Sequence, residues 1–299
     1  MKKLICDFLT KNHYPQEAAE AVLGAYEVLK DNPTFLTFLE RFYVDTELNL
    51  DLEGSPLDLL CRETGVNFHT AKLLFYICLT EELREKYREA GFPEHMYDTA
   101  IEDMYTKAKE CVDVYGIWGI FSPGWFYSIF HLRVFGMGRL FYNTGEYKGE
   151  DMTIGGRTVT QGDLYISVHI PSSGKPFDKA SRLASYEMAY YFFKDAFEGK
   201  EPLFRCGTWL LNPANRELLG EKSNIVSFMD DFRLVATYDN PTNSSLWRVF
   251  GAAHELPPEK LPRDTSLRRA YADHLARGNT FDGGIGFFVF DPVNKVTLK

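Results

Sequence analysis

Apolar and polar residues alternate along residues 163–171, which is the pattern of a β-strand with one buried face. The predicted inner face carries Leu164, Ile166, Val168 and Ile170, and the predicted outer face carries Tyr165, Ser167 and His169. Pro171 is expected to end the strand, because proline cannot donate a hydrogen bond to a sheet ladder.

The pattern then changes to that of a helix and back to that of a strand. Asp178 follows the polar turn 172–176 as a helix N-cap, and apolar residues recur at helical spacing up to about Gly199. Residues 203–211 indicate a second strand between Pro202 and Pro213. A strand, a covering helix and a strand form a crossover unit, so the two strands are predicted to be parallel and adjacent.

Residues 1–115 show mainly helical spacing. Two predicted helices, Pro56–Thr64 and His69–Leu79, are joined across Gly65 and have the outline of a helix-turn-helix. A DNA reader needs a basic recognition face, whereas this segment holds 12 Lys and Arg against 22 Asp and Glu. Packed helices are therefore the preferred interpretation, and no nucleic-acid partner is expected.

The C-terminal part has further strand and helix patterns. Strands are expected at Phe135–Tyr147 and Ile285–Phe290, and a hairpin is expected to pair Phe232–Tyr238 with Leu246–Phe250. A helix should follow Pro262 and end at Gly278. The apolar segment Tyr115–Phe130 is short and is interrupted by Gly116, Gly119, Pro123 and Gly124, so we expect it to be buried in protein and expect no membrane partner.

A chain of 299 residues suits two domains, and the change of pattern divides it into an acidic helical domain, residues 1–115, and a mixed domain, residues 116–299. The predicted class is therefore α+β. Residues 116–299 carry 21 basic and 20 acidic residues, so an anionic ligand meets least repulsion there, whereas the acidic first domain would attract a cationic small molecule or peptide.

The five cysteines form no CxxC pair and no regular spacing, which indicates neither a zinc site nor a disulfide framework. No metal is therefore expected. An odd number of thiols suits a reducing compartment, and the N-terminal apolar run is interrupted too early for a signal peptide, so a cytoplasmic location is expected.

His169 is the first candidate for chemistry. It lies near the C-terminal end of a predicted central strand and on its polar face, where open sheets expose their ligands. Its imidazole could act as a general base near neutral pH, although a strand histidine can also be purely structural. In the second strand, Trp209 and Cys206 are the candidates for substrate contact, with an ordinary core position as the alternative for both.

Four segments together carry a family resemblance: residues 165–171, Cys206–Leu211, Ser223–Phe228 and Leu261–Ala270. With them, the chain resembles the two-domain acyltransferases that have a helical N-acyltransferase N-terminal domain and a GNAT-like C-terminal domain. This resemblance extends over essentially the whole chain. It implies a mixed sheet whose two central strands diverge, with acetyl-CoA or another acyl-CoA lying between them as the acyl donor to an amine or hydroxyl.

The resemblance also implies cofactor contacts. A GNAT fold holds the pyrophosphate of CoA with backbone N–H groups in the turn after the first central strand, which here comprises Ser172, Ser173, Gly174 and Lys175. Arg182 would add positive charge. Asn224 stands where GNAT enzymes often place an asparagine that contacts pantetheine, with a simple helix cap as its alternative.

Two departures from the family pattern favour an alternative function without catalysis. The phosphate motif Gln/Arg-x-x-Gly-x-Gly/Ala is missing, and Asp230 and Asp231 stand where a proton-donating tyrosine often follows. Tyr271 could serve as that donor from another helix. The alternative hypothesis is a non-catalytic GNAT-like module that binds a sugar, peptide or lipid in an aromatic cleft.

Overall fold

The computed structural model describes residues 1–45, 52–122 and 124–299, so the predicted helix breaker Pro123 lies outside the described residues. The chain forms two compact units, Met1–Gly136 and Met137–Lys299. The first is helical and the second contains the mixed sheet, which confirms the α+β class.

The helices of the first unit begin largely where the sequence predicts them. Asn32, Ser55 and Asn67 accept hydrogen bonds from the first-turn amides of the helices that they precede. The described helices are α1 Lys2–Lys11, α2 Gln16–Leu29, α3 Pro33–Arg41, α4 Pro56–Thr64, α5 Phe68–Cys78, α6 Thr80–Glu89, α7 Glu94–Tyr115 and α8 Trp125–Phe130. None of these described helices has the length and apolar character needed to cross a lipid bilayer.

Helix α5 is the central helix of this unit. It is buried from Thr70 to Cys78, including Lys72, whose ammonium lies 4.5 Å from the centroid of the Phe68 ring. His69 Nδ1 lies 3.2 Å from the carbonyl oxygen of Ile120. The second helix of the predicted helix-turn-helix pair is thus enclosed in a core, as the packed-helix interpretation requires.

The division between the units comes after Gly136, later in the chain than the predicted boundary after residue 115. The reason is that residues following α7 complete the helical core. The amide of Ile120 donates to His69 O, and the ring of Phe130 lies 4.9 Å from Tyr76 and 6.3 Å from Phe42. The sequence predicted a buried apolar segment at this position but assigned it to the second domain, whereas it belongs to the helical unit.

The second unit contains one large sheet, a small hairpin and several helices. Strand β1 Phe135–Met137 contains the division after Gly136. The strands that follow are β2 Leu140–Glu146, β3 Met152–Ile154, β4 Arg157–Val159, β5 Leu164–His169, β6 Leu203–Thr208, β7 Arg233–Tyr238, β8 Gly283–Asp291 and β9 Val296–Leu298. Its helices are α9 Lys179–Phe193, α10 Asn215–Leu219, α11 Asn224–Met229, α12 Trp247–Phe250 and α13 Ser266–Ala276.

The large sheet has the strand order β1-β2-β5-β6-β8-β7, with β9 paired to the far end of β8. Strands β5 and β6 are parallel and are connected by α9, which confirms the predicted crossover unit. Pairing is antiparallel between β2 and β5, between β6 and β8, and between β7 and β8. Strands β3 and β4 form a separate antiparallel hairpin.

The predicted hairpin after residue 232 is wrong. Strand β7 pairs with β8, and residues 247–250 form α12 instead of a strand. Leu246, Val249 and Phe250 are buried, and their i, i+3, i+4 spacing is helical. Similarly, the second crossover strand ends at Thr208, because residues 209–211 turn into a 3₁₀-helix that the Thr208 hydroxyl caps.

A buried ion pair fixes α9 to the segment between α11 and β7. Arg182 is fully buried, and its Nε donates to Asp231 Oδ2 at 2.7 Å. Its other two guanidinium nitrogens donate to the carbonyl oxygens of Phe177 and Ser227. Tyr186 OH donates to the same carboxylate oxygen at 3.2 Å. Each hydrogen-bonding nitrogen of this buried cation therefore has an acceptor, as burial of a charge requires.

We expect Asp231→Ala to destabilise the second unit by about 3–5 kcal/mol, because the mutation leaves the Arg182 guanidinium buried without its counter-ion. The matched control is Asp230→Ala, which removes only an exposed ion pair with Arg216 and should cost less than about 1 kcal/mol. Urea denaturation followed by circular dichroism measures both. Equal effects of the two substitutions would contradict the assigned role of the buried pair.

Candidate functional site

The two central strands of the sheet separate partway along their length. They are paired only at Ile166–Phe204 and Ser167–Arg205. Beyond these pairs β5 continues alongside β2 as far as His169, and β6 continues alongside β8 as far as Thr208. The C-terminal halves of β5 and β6 therefore have no ladder between them, although each remains paired on its other side, and we call this break in the sheet the gap.

The register defines which side chains border this gap on one face of the sheet. Ser167 is paired with Arg205, so Tyr165 and His169 share their face with Arg205 and Gly207. The opposite face is covered by α9 and carries Cys206, Val168 and the stacked rings of Phe204 and Phe288, whose centroids are 4.7 Å apart. We call the first of these the outer face.

His169 lies at the end of β5 on the outer face and is half-buried. Its Nε2 is 2.6 Å from Oδ1 of Asn143 on the neighbouring strand β2. Because an amide oxygen can only accept, Nε2 carries the proton, and the basic lone pair of the neutral ring is on Nδ1. Asn143 thereby fixes both the orientation and the tautomer of the predicted base.

Arg205 occupies the centre of the outer face. Its guanidinium lies 5.2 Å from the centroid of the Tyr165 ring and extends over Gly207, where an added Cβ would be 3.7 Å from both Nη atoms. Sequence reasoning did not select Arg205 or Asn143 as site residues. The signal for Arg205 was a charged residue in the middle of an apolar central strand.

A cleft of about 670 Å³ crosses the outer face. It is lined by residues of the five strands β2, β5, β6, β7 and β8 and of the loop after β2. Tyr147 and Tyr165 meet Phe287 edge to face, with ring centroids 5.8 and 6.4 Å apart respectively, and Arg205 lies among them. The outer face thus carries an aromatic cleft that Arg205 lines, and His169 lies on the same face outside the lining of this cleft.

The turn after β5 is held in shape by Arg139. This side chain donates from Nη1 to Pro171 O at 3.0 Å and from Nε to Pro176 O at 3.2 Å, and it stacks 5.1 Å from the Phe177 ring. Between these anchors lie the four predicted phosphate-turn residues, Ser172, Ser173, Gly174 and Lys175. Gly174 has a φ of +69° and open space around it.

The end of this turn is the start of α9. Asp178 caps the helix as predicted, accepting from the amide of Ser181 at 2.8 Å. Two other predicted cofactor contacts have different positions. Arg182 is enclosed by its ion pair with Asp231 and does not reach the turn's surface. Asn224 is exposed at the first position of α11, where Ser223 and not Asn224 supplies the cap.

Tyr271 and Trp209 lie together in a hydrophobic cluster with Phe281. Tyr271 is fully buried, its hydroxyl donates to Asn215 Oδ1 at 2.5 Å, and burial raises its pKa. A solvent-excluded core position does not suit the proton-donor role expected for it. Trp209 directly follows β6 at the open end of the gap and keeps part of its surface exposed, so it remains a candidate for contact with a ligand.

Cys206 faces the core side of β6. It is 1% exposed, and its Sγ lies 3.2 Å from Val168 O on the opposite strand of the gap. Burial raises the pKa of this thiol to about 12, so it stays protonated near neutral pH. The expected substrate contact is therefore not supported by its position.

No group of three His, Cys, Asp or Glu side chains among the described residues is arranged to hold a metal ion. The five cysteines are all free thiols. The polar side chains of the outer face around the gap are the His169 imidazole, the Asn143 amide, the Arg205 guanidinium and the hydroxyls of Ser167 and Tyr165.

Comparison with protein-family models identifies both parts of the chain. Residues 134–288, more than half of its length, match the GNAT-like C-terminal domain. The chain belongs to this family. Residues 5–132 match the N-acyltransferase N-terminal domain, so the GNAT-like unit follows a helical N-acyltransferase domain, as the four sequence segments predict.

Solved structures share the fold of the entire chain. An acyltransferase mutant in complex with octanoyl-CoA aligns with a TM-score of 0.74 at 23% identity, covering 98% of this chain and 87% of the other. An acyltransferase in complex with decanoyl-CoA and teicoplanin aligns with the same TM-score and coverage at 22% identity. No curated protein matches the chain. At these identities the comparison establishes a common fold for the GNAT-like unit and its helical partner.

The position of Cys206 predicts low reactivity. At pH 8, iodoacetamide should modify Cys6, which is partly exposed, and leave Cys206 unmodified, because only a thiolate is alkylated rapidly. Peptide mass spectrometry of the folded protein measures both positions. Rapid modification of Cys206 would contradict its buried, protonated state.

Proposed function

We propose that the protein is an acyl-CoA-dependent acyltransferase that transfers the acyl group to an amine or hydroxyl of a second substrate. The observation that carries this proposal is the separation of β5 and β6 after only two paired positions. An extended pantetheine arm needs such a gap, and the unpaired edges of the strands offer it N–H and C=O partners in the manner of an added strand.

The turn after β5 supports binding of the CoA phosphates. Arg139 holds Pro171 and Pro176 at its two ends, and Gly174 at positive φ leaves the centre of the turn open. Successive amides in such a turn form a concave site for an anion. Lys175 and Lys179 are exposed beside it and add positive charge.

The acyl transfer requires removal of a proton from the acceptor as it attacks the thioester carbonyl. Nδ1 of His169 is suited to accept that proton, since Asn143 holds the proton on Nε2. The C–S bond then breaks, and CoA leaves as a thiolate. Backbone N–H groups bordering the gap can donate to the oxyanion of the tetrahedral intermediate.

The length of the acyl chain is a separate question. Acetyl-CoA is the simplest donor, whereas the structures of similar fold contain octanoyl-CoA and decanoyl-CoA. We propose a CoA thioester as donor and include both lengths in its test. An amine acceptor is protonated in free solution, which is consistent with the cationic acceptor expected from the acidic residues 1–115.

The decisive experiment is calorimetric titration with acetyl-, octanoyl- and decanoyl-CoA, followed by measurement of free-thiol release in the presence of amines. Saturable binding of a thioester and amine-dependent release of CoA are the expected results. A non-catalytic binding module would give neither amine-dependent release nor an acylated product, and absence of thioester binding would overturn the proposal.

Replacement of the base should impair chemistry and leave donor binding intact. We expect His169→Gln to lower kcat by about 10²–10⁴-fold without weakening CoA binding, because the imidazole acts on the acceptor's proton. His254→Gln is the control, since the polar contacts of His254 with described residues are to Gly251 O in its own 3₁₀ segment and to the adjacent Glu255. Full turnover of His169→Gln would exclude this histidine as the base.

Substitution of two glycines tests whether the turn after β5 binds the CoA phosphates. Gly174→Val should abolish the protection of the protein by acyl-CoA against thermal unfolding, because the side chain distorts the turn and covers its amides. Gly199→Val provides the matched control: Gly199 also has positive φ and open surroundings but lies beyond the other end of α9. Each substitution should cost about 1–3 kcal/mol of stability from backbone strain. Unchanged protection of Gly174→Val would remove the phosphate assignment.

A further inference from the structure

Arg205 is a partly buried cation with no carboxylate partner among the described residues. No described Asp or Glu lies within ion-pairing distance of it, whereas the other central arginine, Arg182, is fully paired. A cation withdrawn from water is stabilised by a counter-ion, so its position favours an anionic group supplied by a ligand.

The surroundings direct the guanidinium toward the gap. Tyr165 stacks against it, and Gly207, two residues further along β6, leaves the space into which it extends. A planar guanidinium held in one orientation can bind both oxygens of a carboxylate at once. Lysine, which lacks this planar fork, could supply the charge without the geometry.

The guanidinium and the predicted base lie on opposite sides of the gap. Ser167 and Arg205 are paired directly, His169 is two residues beyond Ser167, and the guanidinium reaches Gly207, two residues beyond Arg205. The imidazole and the guanidinium therefore both lie about 6–7 Å beyond the paired residues, measured along the strands, and on the same face of the sheet. A carboxylate at Arg205 would place an amine on the adjacent carbon on the face of the sheet that also carries His169.

The cleft beside Arg205 suits a ring. Tyr147, Tyr165 and Phe287 form its aromatic wall, and Ile285 adds an apolar surface. Two other charged residues line it, Lys148 and Glu146. With Arg205, the charged residues that line the cleft are two cations and one carboxylate, a net charge of +1.

We propose that the acyl acceptor is an amine that carries a carboxylate next to the reacting nitrogen and an aromatic or apolar ring, as an aromatic α-amino acid does. Arg205 binds the carboxylate, the aromatic cleft binds the ring, and the nitrogen faces His169. This inference rests on the proposed acyltransferase function and assigns the substrate class of its acceptor site.

The test compares acceptors that differ only in the carboxylate: phenylalanine with phenethylamine, and tyrosine with tyramine. Acylation is followed by CoA release with the thioester that binds best, and binding of each amine is measured separately by calorimetry. The variants are Arg205→Gln, Arg205→Lys and the control Arg233→Gln, which removes an exposed arginine of β7, the strand on the far side of β8 from β6. Circular dichroism verifies that each variant is folded.

We expect the unmodified protein to prefer the two carboxylates by about tenfold or more in kcat/KM, the effect of one charge-assisted pair. Arg205→Gln should remove this preference mainly through KM, Arg205→Lys should restore part of it, and Arg233→Gln should retain it. Acyl-CoA affinity should be the same in all four proteins, since Arg205 is assigned to the acceptor.

Three results would overturn the inference: no preference for the carboxylates in the unmodified protein, an undiminished preference in Arg205→Gln, or no binding of any of the four amines. If acyl-CoA binds and the preference is absent, only the acceptor assignment fails. If acyl-CoA does not bind but phenylalanine binds in an Arg205-dependent manner, the transferase proposal fails and the carboxylate site stands.

Discussion

The separation of β5 from β6 is the constraint on which the rest of the site depends. Each strand keeps its ladder with an outer neighbour, so the sheet stays intact while its centre opens. Beyond Ser167 and Arg205 the backbone groups of the two strands do not pair with each other, and Val168 O instead accepts from Cys206 Sγ at 3.2 Å. Backbone groups that have no ladder partner need other partners. An extended, amide-containing ligand is one means of satisfying them.

The two faces of the sheet differ in what they contribute. The core face is fixed by stacked rings and by the Arg182–Asp231 pair, which holds the start of α9 against α11. The outer face carries polar groups whose orientations are set by neighbours, as with His169 and Asn143. The closely packed core face, whose buried charges are paired, therefore supports the outer face, where hydrogen-bonding groups remain for a ligand.

Much of this arrangement follows from local sequence pattern. Alternation predicted β5 and its faces, and Asp178 as a capping residue located the start of α9 correctly. The number of paired positions between β5 and β6 could not be predicted, since register depends on packing of the complete sheet. The burial of Arg182 could not be predicted, because its partner Asp231 is distant in sequence. The pairing of β7 with β8 likewise joins segments separated by a long connection.

The contacts of Arg139 have a kinetic consequence. By joining the carbonyl groups of Pro171 and Pro176, this side chain restricts the intervening backbone as part of the folded structure. Much of the conformational entropy of that segment is then lost during folding and not during association with a ligand. A preorganised turn of this kind would allow capture on encounter, with the lifetime of the complex governed by dissociation.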